Sequence, residues 1–184
     1  MRSGAFAAAL GVPMRNLFAA AFCLLLVTPS LGETGPETAA QTWRYEGGAT
    51  PIAWLDNGDA QFQFACRGGQ LAMGYWVRQP TPPVAKATAL SLAITPDPAP
   101  GSKPAADANT SFAQDMPLIH LEGSSAIVRG PVARQWAKIA QGARAGIRIG
   151  FVRQAGSGLD VLDSHVFGAR GSKTTIAQVL AKCS

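Results

Sequence analysis

The sequence predicts a mostly β, α+β fold, in which an antiparallel sheet or sandwich carries two short helices and a disulfide clamps the C-terminal helix. Apolar and polar residues alternate in short runs that Gly, Asn and Asp turns separate, which is typical of antiparallel strands. The spacing changes to that of an amphipathic helix at only two places. After removal of a predicted leader, two cysteines remain, Cys66 and Cys183, and an oxidising compartment would join them.

The first 32 residues have the features of an export signal. A positive residue follows Met14, Leu17–Val27 is apolar, and small residues lead up to Gly32. This run is shorter than the roughly 20 residues that span a bilayer, so we expect cleavage after Gly32 and no stable membrane span. A lipoprotein is disfavoured because a bulky Phe precedes Cys23. We expect a periplasmic or secreted bacterial protein, whether the chain starts at Met1 or at Met14.

Residues 33–41 are predicted to form a flexible lead-in, and residues 42–184 a single β-rich domain of a size that suits one core. Once Arg2 and Arg15 leave with the signal, 14 basic residues face 11 acidic ones. The arginines are scattered singly, whereas nucleic-acid binding needs a dense basic stripe, so we expect no nucleic-acid partner. The mild positive charge is compatible with an unknown envelope protein or anionic envelope polymer as the partner.

The first half of the domain is predicted to form a meander of three strands. This prediction rests on a short apolar run followed by an Asp-Asn-Gly-Asp turn. Two alternating runs come next, and an Arg-Gly-Gly turn separates them. The strands expected are Ile52–Leu55, Phe62–Cys66 and Leu71–Val77. Prolines cannot donate to a sheet ladder, so Pro80–Pro83 should end the third strand as an outer loop.

Three further strands and a Pro-rich loop are predicted in the middle of the chain. The period of two resumes at Leu90–Ile94, and short apolar runs at Leu118–Leu121 and Ala126–Val128 predict two more strands. Pro96–Pro104 has no apolar periodicity, which predicts a mobile loop within the single domain at residues 96–104.

A first helix is predicted directly after these strands. Pro131 suits the first helical turn, and Gly142 is a stop signal. Trp136 should bury against the sheet from an apolar stripe at helical spacing. The stripe comprises Val132, Gln135, Trp136 and Ile139.

A strand hairpin and a last helix complete the predicted fold. Ile147–Phe151 and Leu159–Phe167 alternate on either side of a Gly-Ser-Gly turn. Ser172 is expected to cap the last helix. The apolar stripe of that helix comprises Ile176, Val179, Leu180 and Cys183.

Cys66 and Cys183 are predicted to form a structural disulfide. Because Cys66 ends an inner strand and Cys183 lies on the last helix, the bond would clamp that helix to the sheet. A loop of this length corresponds to roughly 4 to 5 kcal/mol in the chain-entropy model. A reactive thiol pair is the alternative, but redox sites usually place their cysteines close together in the sequence.

The order of these signals resembles a small periplasmic module of envelope proteins associated with type VI secretion. The resemblance covers Phe62 to Cys183, with the Pro-rich stretch as an insertion. The shared features are a strand that ends in Cys, a following strand rich in aromatic residues, and the helix and strand of Val132–Phe151. The last shared feature is a C-terminal motif in which Phe167 and Gly171-Ser172 precede a helix and Cys183. The resemblance implies an accessory role without a catalytic motif.

The histidines and carboxylates do not form a catalytic or metal-binding motif. His120 and His165 lack HxH, HxxxH and HExxH spacing, and His120 should lie on the outer face of a strand. Asp163-Ser164-His165 suggests a small hydrolase, yet neighbouring strand residues point to opposite faces. We therefore expect no metal site, no cofactor and no enzymatic activity.

Three aromatic residues are candidates for an interface, because Tyr and Trp contribute much of the binding energy at interfaces. They are Tyr75, Trp76 and Trp136. Tyr75 and Trp76 are neighbours on one strand, so one should be in the core and the other should face outward. The sequence thus favours an exported, non-enzymatic accessory or binding protein of the cell envelope. The alternative is an inhibitor of a lysozyme or protease that acts through the Pro96–Pro104 loop.

Overall fold

The computed structural model describes residues 41–156 and 158–183. The predicted signal peptide and nearly all of the predicted lead-in lie outside the described residues. Within them, the elements follow the predicted order of strands and helices. They are β1 (Arg44–Glu46), β2 (Ile52–Asp56), β3 (Ala60–Arg67), β4 (Gln70–Val77), α1 (Pro82–Lys86), β5 (Ala89–Pro96), β6 (Ser111–Ile119), β7 (Ser124–Arg129), α2 (Gly130–Gly142), β8 (Gly146–Ala155), β9 (Gly158–Gly168) and α3 (Ser172–Leu180).

The described strands form one curled antiparallel sheet in the order β1-β2-β3-β4-β7-β6-β5-β8-β9. The curl brings β8 and β9 opposite β3 and β4. The ring centroids of Tyr75 and Phe151 lie 5.1 Å apart, and those of Phe62 and Phe167 lie 5.6 Å apart. The Asn57 amide in the β2–β3 turn donates to Val166 O at 3.3 Å. The predicted fold class, a mostly β antiparallel sheet with two short helices and a disulfide, is confirmed.

The helices α2 and α3 pack on the inner face of the sheet and against each other. Trp136 is fully buried, as its helical spacing predicts, and its Nε1 donates to Ser111 Oγ at 3.1 Å. The buried stripe of α2 differs from the predicted one, because Gln135 is exposed and small alanines approach the sheet instead. The buried residues of α2 are Ala133, Trp136, Ala137 and Ala140.

The start of α3 corrects the prediction that Ser172 caps this helix. The N-cap is Gly171, in the left-handed region with φ of 83°. Ser172 is the first helical residue, and its buried hydroxyl donates to Ala140 O at 2.9 Å. Ser172 therefore joins α3 to the end of α2 through the carbonyl group that α2 leaves unpaired.

The predicted bond between Cys66 and Cys183 is present, with the two Cα atoms 5.6 Å apart. Cys66 lies near the end of β3, as expected. Cys183 does not lie on α3, which ends at Leu180, but in the turn that follows, where its N–H donates to Leu180 O. The disulfide therefore fixes the turn after the last helix to the sheet, and it holds the helix through that turn.

Two segments differ from their predicted structure. Pro82–Lys86 forms the short helix α1 rather than an outer loop, since proline is tolerated in a first helical turn. The strand β6 begins at Ser111, seven residues before the predicted start, where the sequence has no regular alternation. Among the described residues, no helix is long and apolar enough to cross a membrane.

The connection between β5 and β6, residues 97–110, contains the predicted Pro-rich loop except Pro96, which belongs to β5. This whole connection, called the Pro-rich loop from here on, folds over the outer face of β8 and β9. Asp97 closes its base, because its carboxylate accepts the N–H groups of Arg144, Ala145 and Gly146 at 2.7 to 3.2 Å. Pro104 is buried, and Arg148 of β8 donates to Ser102 Oγ at 3.0 Å beneath the loop. The loop therefore covers the outer face of β8 at Arg148.

Candidate binding face

The structure separates the three predicted interface residues. Tyr75 and Trp136 are buried in the core, with 1% and 0% of their surface exposed. Trp76, on the opposite face of β4, is half-buried and reaches the outer surface. This division follows the alternation of β4, in which Ala72, Gly74 and Trp76 point away from the core. Only Trp76 of the three is placed to touch a partner.

A second tryptophan, Trp54, lies on the same outer surface. It stands on β2 between the buried residues Ala53 and Leu55. The sequence prediction treated Ile52–Leu55 as an apolar run and so missed it, although alternation with two core residues marks Trp54 as outward. We call this outer surface of β2, β3, β4 and β7, which no other described segment covers, the aromatic face. It is formed by Trp54, Gln61, Gln63, Gly74, Trp76 and Ile127.

The indole ring of Trp76 is held from two sides. Its Nε1 donates to Glu122 O at 3.2 Å, in the turn between β6 and β7. The guanidinium of Arg78 lies over the ring, 4.7 Å from its centroid. Gly123 makes this arrangement possible, because a Cβ atom at that position would lie 2.7 Å from the indole nitrogen. Trp76 is therefore a fixed aromatic surface.

Trp54 is fixed in a similar way at the other side of the aromatic face. Its Nε1 donates to Glu46 Oε1 at 2.9 Å. Arg44 on β1, which pairs directly with Trp54, places its guanidinium 5.1 Å from the ring centroid. Both indole N–H groups are thus satisfied within the protein, and both rings have an arginine as a neighbour.

A groove of about 260 Å³ lies beside Trp76 on the aromatic face. Its floor is Gly74. This residue precedes Trp76 by two positions and lies on the same face of β4, on the side of Trp76 opposite to Arg78. The absent side chain leaves room that Gln63 partly fills, since a Cβ atom on Gly74 would lie 3.0 Å from Gln63 Nε2. Gln61 Nε2 donates to Gln63 Oε1 at 3.0 Å, so the two amides form one polar wall.

The charge of Arg78, beside Trp76 on the aromatic face, is compensated. Arg78 Nη1 donates to Asp56 Oδ1 at 3.1 Å and to Gly58 O at 2.7 Å. The hydrogen bond from Arg78 holds the pKa of Asp56 below its usual range, and the same bond raises the pKa of Arg78. The positive charge next to Trp76 is therefore neutralised by a carboxylate at neutral pH.

A larger groove, of about 500 Å³, lies on the other half of the sheet beside the Pro-rich loop. Its walls include Phe112 of β6 and Val152 of β8, together with Ala106 of the loop. Arg153 at its margin forms an exposed ion pair with Asp160 at 3.0 Å. Phe112 is the one aromatic side chain among its described lining residues.

The residues considered for hydrolase chemistry form a different arrangement. Asp163 and His165 lie on the same face of β9, with His165 Nε2 3.0 Å from Asp163 Oδ1, although the contact lacks hydrogen-bond geometry. Asp163 also accepts the backbone N–H of Thr81 at 3.0 Å. Ser164 lies between them on the opposite, exposed face, so the pair has no serine nucleophile beside it. The buried Tyr75 ring is 6.4 Å from that of His165.

The remaining histidine, His120, is exposed, and both of its ring nitrogens have hydrogen-bond partners, Ser124 Oγ and Ala87 O, each at 2.8 Å. Among residues 41–156 and 158–183, no group of three or more His, Cys, Asp or Glu side chains could hold a metal ion. Comparison with known proteins finds no matching family model, no matching curated protein and no matching solved structure.

Proposed function

We propose that the protein is an exported, non-enzymatic binding protein of the bacterial cell envelope that holds its ligand on the aromatic face. One observation carries the proposal: two indole rings are fixed on a sheet surface that none of residues 41–156 and 158–183 covers. Half-buried tryptophans that are held on the outer surface of a sheet are effective in binding, because an indole offers a large contact area at small entropic cost.

The proposed compartment rests on the sequence. A compact signal with an 11-residue apolar run and two remaining cysteines that are bonded to each other fit export to an oxidising compartment. The resemblance to envelope modules associated with type VI secretion supports an accessory role of the same kind. These observations favour the periplasm as the place where the aromatic face meets its ligand.

The inhibitor alternative is less well supported by the packing of its proposed loop. An inhibitory loop has to project into the active site of its target. Here Pro104 is buried against the sheet, and Ser102 is engaged by Arg148. We therefore assign binding to the aromatic face rather than to the Pro-rich loop.

The proposal predicts that both tryptophans are needed for capture of envelope material. The mature protein, immobilised and incubated with a detergent-free envelope fraction, should retain a component that the double variant Trp54→Ala/Trp76→Ala does not. Bound and free fractions of the envelope fraction are compared by mass spectrometry and by sugar analysis, and circular dichroism checks that the variant is folded.

Leu121→Ala provides the matched control, because Leu121 is 75% exposed but lies outside the aromatic face. This variant removes exposed apolar surface and should bind as the wild type does. Capture that survives loss of both tryptophans, or that falls equally in the Leu121→Ala variant, would contradict the proposal.

A further inference from the structure

We propose that the ligand of the aromatic face is the glycan strand of peptidoglycan, an inference that rests on the proposed function and specifies its ligand. The chemical class is a chain of neutral, N-acetylated pyranose rings. The argument uses four properties of the face: its aromatic rings, its amides, the spacing of the rings and its compensated charge.

The indole rings match the apolar side of a sugar. A pyranose ring presents C–H bonds on its faces and polar groups around its rim, and the negative face of an aromatic ring attracts such C–H bonds. Arg78 occupies one side of Trp76, and the side toward Gly74 opens on the groove. A sugar ring that enters this groove can therefore lie flat against the free side of the indole.

The amides match the polar rim of the same ring. Gln61 and Gln63 each have donors and an acceptor, and one hydrogen bond between them leaves further capacity toward the groove. Neutral donors and acceptors beside an aromatic wall can satisfy hydroxyl and N-acetyl groups without a charged partner. The groove thus has the mixed lining that small polar ligands with apolar faces need.

The spacing of the two tryptophans suits a chain rather than a single sugar. Trp54 pairs with Gln63 and Trp76 pairs with Gln61, so the two rings stand two strands and two residues apart. This places their Cα atoms roughly 12 Å apart. A linear glycan that stacks on Trp76 can therefore continue across Gln63 toward Trp54.

The other classes of partner fit the face less well. The two indoles are separated by the amides of Gln61 and Gln63, whereas the aromatic anchors of a protein interface cluster near its centre. A nucleic acid would need a dense stripe of cations, and the arginine beside the groove, Arg78, is held by Asp56 and Gly58 O. Peptidoglycan is the neutral-ringed polymer of the compartment to which the signal peptide directs the chain.

The test uses purified peptidoglycan sacculi and a soluble N-acetylglucosamine oligomer with the mature protein. We expect the protein to co-sediment with sacculi, and the oligomer to change its tryptophan fluorescence and to compete for sedimentation. Trp54→Ala and Trp76→Ala should each weaken binding by about tenfold. Binding should persist in about 1 M salt, because no ion pair with the ligand is required.

Gly74→Val is the sharpest variant, since it places a side chain in the groove. The three atoms nearest to a Cβ atom at this position all belong to Gln63, at 3.0 to 3.5 Å, so the flexible Gln63 side chain has to shift, and valine is favoured in strands. We expect oligomer binding to fall more than tenfold while the melting temperature is unchanged or higher. Ala72→Val, on the same face of β4 but outside the groove, should bind normally.

Each outcome has a separate meaning. Binding to sacculi but not to the oligomer would overturn the assignment to sugar rings, and binding to the oligomer but not to sacculi would overturn peptidoglycan as the source. If neither binds while envelope capture still depends on both tryptophans, the glycan assignment fails and the proposed function stands. If capture does not depend on them, both fail.

Discussion

Asp97 stands in the left-handed backbone region, with φ of 44°, where β5 passes into the Pro-rich loop. Burial acts to raise the pKa of this carboxyl, but three backbone N–H donors outweigh it and hold the pKa below its usual value of 3.8. The ionised form is therefore the form that the folded protein stabilises. Asp97 links the loop to the start of β8 through charge as well as through geometry.

We predict that Asp97→Asn lowers the free energy of unfolding at neutral pH by about 1 kcal/mol, because hydrogen bonds to a charged acceptor are stronger. Asparagine tolerates the left-handed region, so strain does not contribute. A carboxyl group whose pKa is lower in the folded protein than in the unfolded chain stabilises the folded protein at pH values above its unfolded-state pKa. This stabilisation is lost as the pH falls through the pKa of the group in the folded protein. The gap between variant and wild type should thus close below about pH 3.8.

Thermal unfolding of both proteins at neutral pH and at low pH measures this gap. Asp115→Asn is the control, because Asp115 has a similar φ of 50° without the three backbone donors. A gap that stays constant down to low pH would contradict the role of the charge.

At the scale of elements, α2 joins the inner face of the sheet to α3. Its buried surface consists of one large ring and three alanines, and the alanines let the helix approach the strands closely. Trp136 fills the space that remains and bonds to Ser111 at the start of β6. The packing of α2 therefore depends strongly on this one side chain.

We predict that Trp136→Ala costs roughly 3 to 5 kcal/mol of unfolding free energy, because it leaves a large cavity and an unpaired Ser111 hydroxyl. Urea unfolding followed by circular dichroism measures the change. Gln135→Ala, on the exposed side of the same turn, should stay within about 0.5 kcal/mol of the wild type. A loss below 1 kcal/mol for the tryptophan variant would contradict its place in the core.

Elements whose signal is local could be predicted from the sequence. The Asp56–Asp59 turn and the flanking alternation gave the β2–β3 hairpin, and helical spacing gave α2 and α3. The alternation of β6 is interrupted at its middle residue, Asp115, whose backbone is left-handed. The placement of β7 between β4 and β6 depends on pairing between distant segments, which no local pattern specifies.

The candidate site could be predicted only in part for the same reason. Trp76 was identified from its type, and the alternation of β4 also indicates its direction. Trp54 becomes significant only when the register Trp54–Gln63–Gly74 places it across β3 from the groove. That Arg148 is covered depends on where the Pro-rich loop folds, which no local pattern specifies.

At the scale of the whole molecule, the disulfide joins the end of β3 to the turn after α3. We predict that mass spectrometry of the protein, purified without reductant, finds the Cys66 and Cys183 peptides linked. Cys66→Ala should lower the melting temperature by several degrees or more, because the bond restricts the unfolded chain. Cys183→Ala should have the same effect, and the double variant should lose little more, since either change removes the same bond.

Two thiols that react with an alkylating agent in natively exported protein would contradict this prediction. Full wild-type stability in the Cys66→Ala variant would likewise show that the bond does not hold the turn after α3.

The same bond closes a covalent ring from residue 66 to residue 183, and the exposed Pro-rich loop lies inside that ring. Exposed loops are preferred sites for proteases. A single cut there leaves both pieces attached, so the nicked protein runs as one band on a gel until a reductant separates it into two. The exposed turn Gly47–Thr50 lies outside the ring, and a cut there releases the N-terminal piece with or without reductant. Limited digestion on gels run with and without reductant therefore distinguishes a cut inside the ring from a cut that releases β1.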